Sequence, residues 1–93
     1  MITIYSKNNC SYCMMAKALL KNNDIEFEEV NVEQDQEALS FVLEQGLRSM
    51  PQIFRNGELF VAGGYTGLMQ LGVDGIRSKL TEQVIDTASL GTI

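Results

Sequence analysis

The sequence predicts an α/β fold: one small domain over residues 1–93 with strands and helices in the order β-α-β-α-β-β-α. Three observations predict it. Strand-like apolar runs alternate with helical repeats through the first half, two further strand-like runs flank an Asn-Gly pair in the second, and helical spacing resumes after a double glycine. At 93 residues and 45% hydrophobic content, the chain has material for a single core and no second domain.

Ile2 to Tyr5 is almost wholly apolar with two β-branched isoleucines, as in a strand covered on both faces. From Ser11 to about Asn22, the residues Cys13, Ala16, Leu19 and Leu20 recur at helical spacing and predict a helix with one buried face. Met14 and Met15 in that helix read as core and rim packing rather than as metal ligands. Asn22-Asn23-Asp24 ends it. Ile25-Glu26-Phe27-Glu28 alternates, and Val30-Asn31-Val32 resumes one step out of phase, which predicts a single strand bulged near Glu28 and Glu29. A second helix is expected from about Gln34 to Gln45, with Ala38, Leu39, Val42 and Leu43 as its apolar face and Gly46 as its stop. A right-handed crossover then makes the first two strands parallel neighbours.

Gln52–Arg55 and Glu58–Ala62 flank Asn56-Gly57, a strong two-residue hairpin signal, and should pair antiparallel. Gly63-Gly64 breaks the second of these strands. A short helix over Tyr65–Leu71 follows, stopped by Gly72, and Val73, Ile76, Leu80 and Val84 predict a further helix from near Asp74 that packs on the body. The tail from about residue 87 is expected to be loose.

Both cysteines lie where the first strand meets the first helix, in Cys10-Ser11-Tyr12-Cys13. Residues three apart on a helix are neighbours, so the two sulfurs can close a disulfide. Cys10 faces the unpaired N–H groups and the positive end of the helix dipole, which stabilise a thiolate and should bring its pKa below the ~8.5 of a free cysteine. Lys7 adds a positive charge upstream, while Cys13 sits a turn deeper. Cys10 is therefore expected to attack and Cys13 to resolve. The bland alternative is half of a structural zinc site, but such a site takes about four Cys or His ligands and this chain has no His and no third Cys. Two chains together could supply four thiolates, which keeps a shared zinc or iron–sulfur cluster open as the lesser alternative.

A formal net charge of −5 with pI near 4.5 argues against nucleic acid as a partner. No stretch reaches the ~20 apolar residues of a membrane span, and no basic leader precedes an apolar run, so the chain reads as cytoplasmic, where a lone Cys-x-x-Cys is catalytic more often than structural. Acids crowd the segment from Asp24 to Glu37, whereas Lys7, Lys17 and Arg48 flank the motifs. The only proline, Pro51, stands at the entrance to the third strand.

Lys7-Asn8-Asn9-Cys10-Ser11-Tyr12-Cys13, Ser49-Met50-Pro51 before Gln52-Ile53-Phe54, and Gly63-Gly64-Tyr65-Thr66 before a short helix stand in the order and at the distances of a glutaredoxin. The chain resembles that family from about Ile2 to Leu71, above all its small bacterial and phage dithiol members. The resemblance implies the thioredoxin fold, a four-stranded mixed sheet with helices on both faces, and a cis bond between Met50 and Pro51. It implies Cys10 as nucleophile, Cys13 as resolving thiol, and a glutathione site made by Lys7, Tyr12, Ser49, Met50, Pro51, Gly64, Tyr65 and Thr66. Glutathione is then a co-substrate, with no metal or other cofactor required, and disulfide-bearing proteins such as ribonucleotide reductase are the partners of a monomer.

The chain departs from the pattern at Ser11, where the family often has Pro, and at Thr66 and Gly67, where acidic residues are common. The first departure is associated in the family with dimers that hold a [2Fe-2S] cluster. The second leaves open an NrdH-like or thioredoxin-like donor, recharged by a thioredoxin reductase.

Overall fold

The computed structural model describes residues 1–92, with side chains described for residues 1–80. The sheet is assembled from β1 (Ile2–Ser6), β2 (Phe27–Asn31), β3 (Gln52–Arg55) and β4 (Glu58–Val61), in the spatial order β2-β1-β3-β4. β1 runs parallel to β2 and antiparallel to β3, and β3 pairs antiparallel with β4, so the mixed sheet is as expected. Asn56 and Gly57 both have positive φ, 53° and 81°, the geometry a two-residue hairpin turn demands.

Helix α1 (Ser11–Asn22) and helix α3 (Gly64–Thr92) pack with each other on one face of this sheet. Ile2 and Ile4 of β1, Ala16 and Leu20 of α1, Ile53 of β3, and Leu68 and Ile76 of α3 are all fully buried there. Each such aliphatic side chain contributes about 1.5–3 kcal/mol on leaving water, apart from the smaller alanine. Helix α2 (Gln36–Glu44) covers the other face through Ala38 and Val42, which cluster with Val32. Asp35 caps α2 by accepting the N–H of Ala38 at 3.0 Å. Helices on both faces and this strand order constitute the thioredoxin fold.

Four details differ from the sequence expectations. β2 pairs with β1 in unbroken register from Ile2 opposite Phe27 to Ser6 opposite Asn31, without a bulge. The apparent phase shift arises because β2 is an edge strand. Glu29, which shares a strand face with Phe27, takes Ser6 and Lys17 as polar partners there and leaves an acid where an apolar residue would keep the alternation. On α2 the inward face is Ala38, Phe41 and Val42, while Leu39 and Leu43 are exposed. Phe41 wins because it meets aromatic partners, Tyr5 at 5.7 Å and Phe54 at 5.2 Å between ring centroids. Met14 and Met15 are not core, being 66% and 44% exposed, since α1 buries only the stripe of Cys13, Ala16 and Leu20.

The fourth difference concerns the tail after the last helices, which are themselves as expected: the helical backbone from Gly64 breaks at Gly72, where φ is 76° and ψ 162°, and resumes beyond it. Val73, Ile76 and Leu80 pack on the core as expected, whereas Val84 lies outside the residues with described side chains. The tail expected to be loose from about residue 87 is helical in backbone through Thr92, and its side chains too lie outside those described.

Candidate active site

β1 delivers the chain to a loop, Lys7 to Asn9, that ends at Cys10. Asn9 takes the left-handed conformation at φ 53°, which asparagine tolerates better than most residues. Asn31, the last residue of β2, and Glu33 just beyond it hold this loop. The carboxylate of Glu33 accepts the N–H of Asn8 at 2.5 Å, and the Asn31 amide donates to Asn8 Oδ1 at 2.8 Å. Asn31 Oδ1 in turn accepts the Glu33 N–H at 2.8 Å, so the two clamping residues also brace each other.

Cys10 is the N-cap of α1, extended at φ −116° and ψ 102°. Its sulfur accepts the Cys13 N–H at 3.1 Å, in the place a serine or aspartate oxygen would occupy in an ordinary cap. The same N–H and the positive helix end favour a thiolate on this atom once the pair is reduced. Cys10 and Cys13 are joined as a disulfide with their Cα atoms 5.2 Å apart. Both cysteines are buried, Cys10 at 8% and Cys13 at 2% exposure.

The Met50–Pro51 bond is cis, as the family resemblance implies. It turns the Met50 carbonyl oxygen to 3.7 Å from Cys10 Sγ, within reach of a thiol S–H at that position. Beneath the turn, buried Gln52 donates through Nε2 to the Ser49 carbonyl at 2.7 Å and to Ser49 Oγ at 3.3 Å. The sequence reading missed Gln52. Its signal was a polar residue directly ahead of the apolar Ile53-Phe54 pair of β3, where burial demands a specific partner.

Gly64 opens α3 at φ 56°, and a Cβ there would collide with the carbonyl oxygen of Pro51. Only glycine permits this approach, which locks the start of α3 against the Pro51 turn. Gly67 lies equally close to the Ala62 carbonyl, so the position after Thr66 is closed to a side chain. Tyr65 stacks on Tyr12 of α1, with centroids 5.9 Å apart and planes 29° from parallel. Lys7, Tyr12, Thr66 and Arg48 are exposed. Lys17 is engaged by Glu29 at 2.8 Å, and Ser6 Oγ donates to the same carboxylate oxygen at 2.7 Å. The hydrogen bonds from Lys17 and then Ser6 hold the Glu29 carboxyl below its ordinary value.

The structure thus gathers the three motifs around Cys10: the cysteine turn, the Ser49-Met50-Pro51 turn and the Gly64-Tyr65 helix start. Among the described residues no group of three or more His, Cys, Asp or Glu side chains could hold a metal ion. No helix among them is long and apolar enough to cross a membrane.

Comparison with known proteins agrees with this geometry. The family model described as Glutaredoxin matches residues 2–60. The glutaredoxin-like protein NrdH of Lactococcus lactis is 40% identical over 60 residues, which span 64% of this chain and 83% of the relative. Glutaredoxin 1 of Rickettsia bellii is 36% identical over 86 residues, 87% of this chain and 86% of the relative. Among solved structures, the glutaredoxin-like NrdH-redoxin of Escherichia coli, described as having a thioredoxin-like activity profile, superposes with a TM-score of 0.57 at 34% identity, covering 59% of this chain and 72% of the other. The chain belongs to the glutaredoxin family of the thioredoxin superfamily and is a thiol–disulfide oxidoreductase.

Proposed function

We propose that the protein reduces protein disulfides and glutathionylated thiols and is itself recharged by glutathione. The observation that carries this reading is Cys10 Sγ at the α1 N-cap, accepting the Cys13 N–H and facing the Met50 carbonyl beside the cis proline.

In this reading the Cys10 thiolate attacks one sulfur of the client disulfide, and the other client sulfur leaves as a thiolate. Cys13, deprotonated, then attacks the Cys10 sulfur. The second client thiolate leaves and the Cys10–Cys13 disulfide remains. One glutathione thiolate opens that disulfide at Cys10, and a second attacks the resulting mixed disulfide, releasing oxidised glutathione and restoring the dithiol. The exchange itself calls on no metal or prosthetic group. Ser49 and Met50 beside Pro51 offer backbone for an extended ligand to pair with. Lys7, Tyr12, Gly64, Tyr65 and Thr66 would wall the glutathione site, with the N–H groups at the start of α3 suited to a carboxylate. Disulfide-bearing proteins, ribonucleotide reductase among them, are the clients to which we extend the reading, acting in a reducing compartment such as the cytoplasm.

A specific observation favours a second reading. The position after Thr66 is closed by the Gly67–Ala62 approach, so no acidic side chain can stand there to hold the glutathione amino group. Together with the likeness to NrdH proteins, this favours a donor recharged by a flavoprotein thioredoxin reductase. NADPH consumption with a mixed-disulfide substrate separates the two. Turnover with glutathione and glutathione reductase, and none with thioredoxin reductase alone, is the expected result; the reverse pattern would replace the first reading by the second.

A further inference from the structure

The Asn31–Glu33 turn touches neither sulfur, yet it holds the backbone just ahead of Cys10. Asn8 is gripped at two points: its N–H donates to the Glu33 carboxylate at 2.5 Å and its Oδ1 accepts the Asn31 amide at 2.8 Å. Two residues later the same backbone must present Cys10 Sγ 3.1 Å from the Cys13 N–H. Asn9 between them sits in the left-handed region, so the loop has little intrinsic preference for this path and depends on its anchors.

We propose that Glu33, with Asn31, is a positioning residue for the nucleophile, holding Asn8 so that Cys10 is kept in its N-cap geometry. The inference rests on the reading of Cys10 as the attacking thiol. Its chemical content is the hydrogen-bond acceptor at Glu33, not the charge. A negative charge near the loop by itself disfavours a thiolate, whereas a fixed loop keeps the sulfur on the N–H that favours one. The other titratable or cationic groups of the surrounding elements are Tyr5 on β1, Lys7 on the loop, Tyr12, Lys17 and Lys21 on α1, Glu28 and Glu29 on β2, Asp35 at the α2 N-cap, Arg48 ahead of Met50 and Tyr65 at the start of α3. The substitutions below leave all of them unchanged.

The test is the pH dependence of Cys10 alkylation by iodoacetamide in a Cys13→Ser background, where one thiol remains. Glu33→Ala and Glu33→Gln both remove the charge, but only Gln keeps an acceptor for the Asn8 N–H. The alkylation midpoint of Glu33→Ala should lie above that of Glu33→Gln by about half a unit or more, as expected when a hydrogen bond to a thiolate is weakened. Asn31→Ala, which breaks the other grip, should raise the midpoint above that of the parent. Equal midpoints in Glu33→Ala and Glu33→Gln would overturn the proposal, and if Glu33→Ala does not fold, an unshifted midpoint in Asn31→Ala would do so. A parent midpoint near ~8.5, the value of a free cysteine, would instead sink the underlying reading of Cys10 as an activated nucleophile.

Discussion

Gly64 approaches Pro51 so closely that a single methyl group on it would overlap the proline's carbonyl oxygen. This contact joins two of the three sequence motifs, the turn that faces Cys10 and the start of α3 that carries Tyr65. The obstructing atom is backbone, so it cannot move aside as a flexible side chain would. Gly64→Ala should therefore destabilise the protein by about 2–5 kcal/mol, combining ~1–2 for the left-handed conformation with ~1–3 for overpacking. Urea unfolding measures it. A loss below about 0.5 kcal/mol, the range of neutral surface changes, would mean that the contact is not maintained.

The aromatic group beneath the sheet predicts a contrast. Phe54 is 1% exposed and meets the Tyr5 ring edge-on at 5.4 Å and the Phe41 ring at 5.2 Å. Phe54→Ala should cost about 3–5 kcal/mol, as other large-to-small core changes do. Met14→Ala, at an exposed position, should stay within about 0.5 kcal/mol. Similar losses for the two would contradict the observed core.

Glu29 makes a prediction about acid. Lys17 and Ser6 hold its carboxyl below the ordinary 4.5, so the unfolded chain takes up the proton first as pH falls. The contribution is thus fully present above about pH 4.5 and is lost as pH falls through the lower folded value. Both partners of the ion pair are partly exposed, which limits the effect to about 0.2–1 kcal/mol. Glu29→Gln should lower the urea midpoint at pH 7, and its gap to the wild type should narrow as pH falls below 4.5. A gap that keeps its size as the pH falls would show that the loss is not electrostatic.

Much of this architecture was legible in the sequence, for identifiable reasons. α1 runs from Ser11 to Asn22 as read, because its start is marked by the cysteine turn and its buried stripe keeps strict helical spacing. The Asn56-Gly57 hairpin was legible because few residue pairs accept two successive positive φ values. The misread features lay where local pattern is silent about partners. Nothing in the order Ala38-Leu39-Ser40-Phe41-Val42-Leu43 says which side of α2 meets Tyr5 and Phe54. Glu29 looked like a break in phase because its partners, Ser6 and Lys17, are 23 and 12 residues away in the chain.

The site divides along the same line. The cysteines and the turn at Pro51 were found by motif, since their chemistry depends on residue type and short spacing. Gln52, Asn31 and Glu33 escaped notice because their roles come from hydrogen bonds to distant or main-chain atoms of Ser49 and Asn8, which only the folded chain brings together.

The central claim, that Cys10 attacks and Cys13 resolves, is tested most directly by trapping. Cys13→Ser and Cys10→Ser variants, each reduced and then mixed with glutathione disulfide, would be examined by intact mass and peptide mapping. The account predicts that Cys13→Ser rapidly gains one glutathione on Cys10, while Cys10→Ser, left with the Cys13 thiol inside the first turn of α1, gains it at least ~10-fold more slowly, the order of effect expected from a less stabilised thiolate. Equal rates, or faster modification of Cys13, would contradict the assignment of roles.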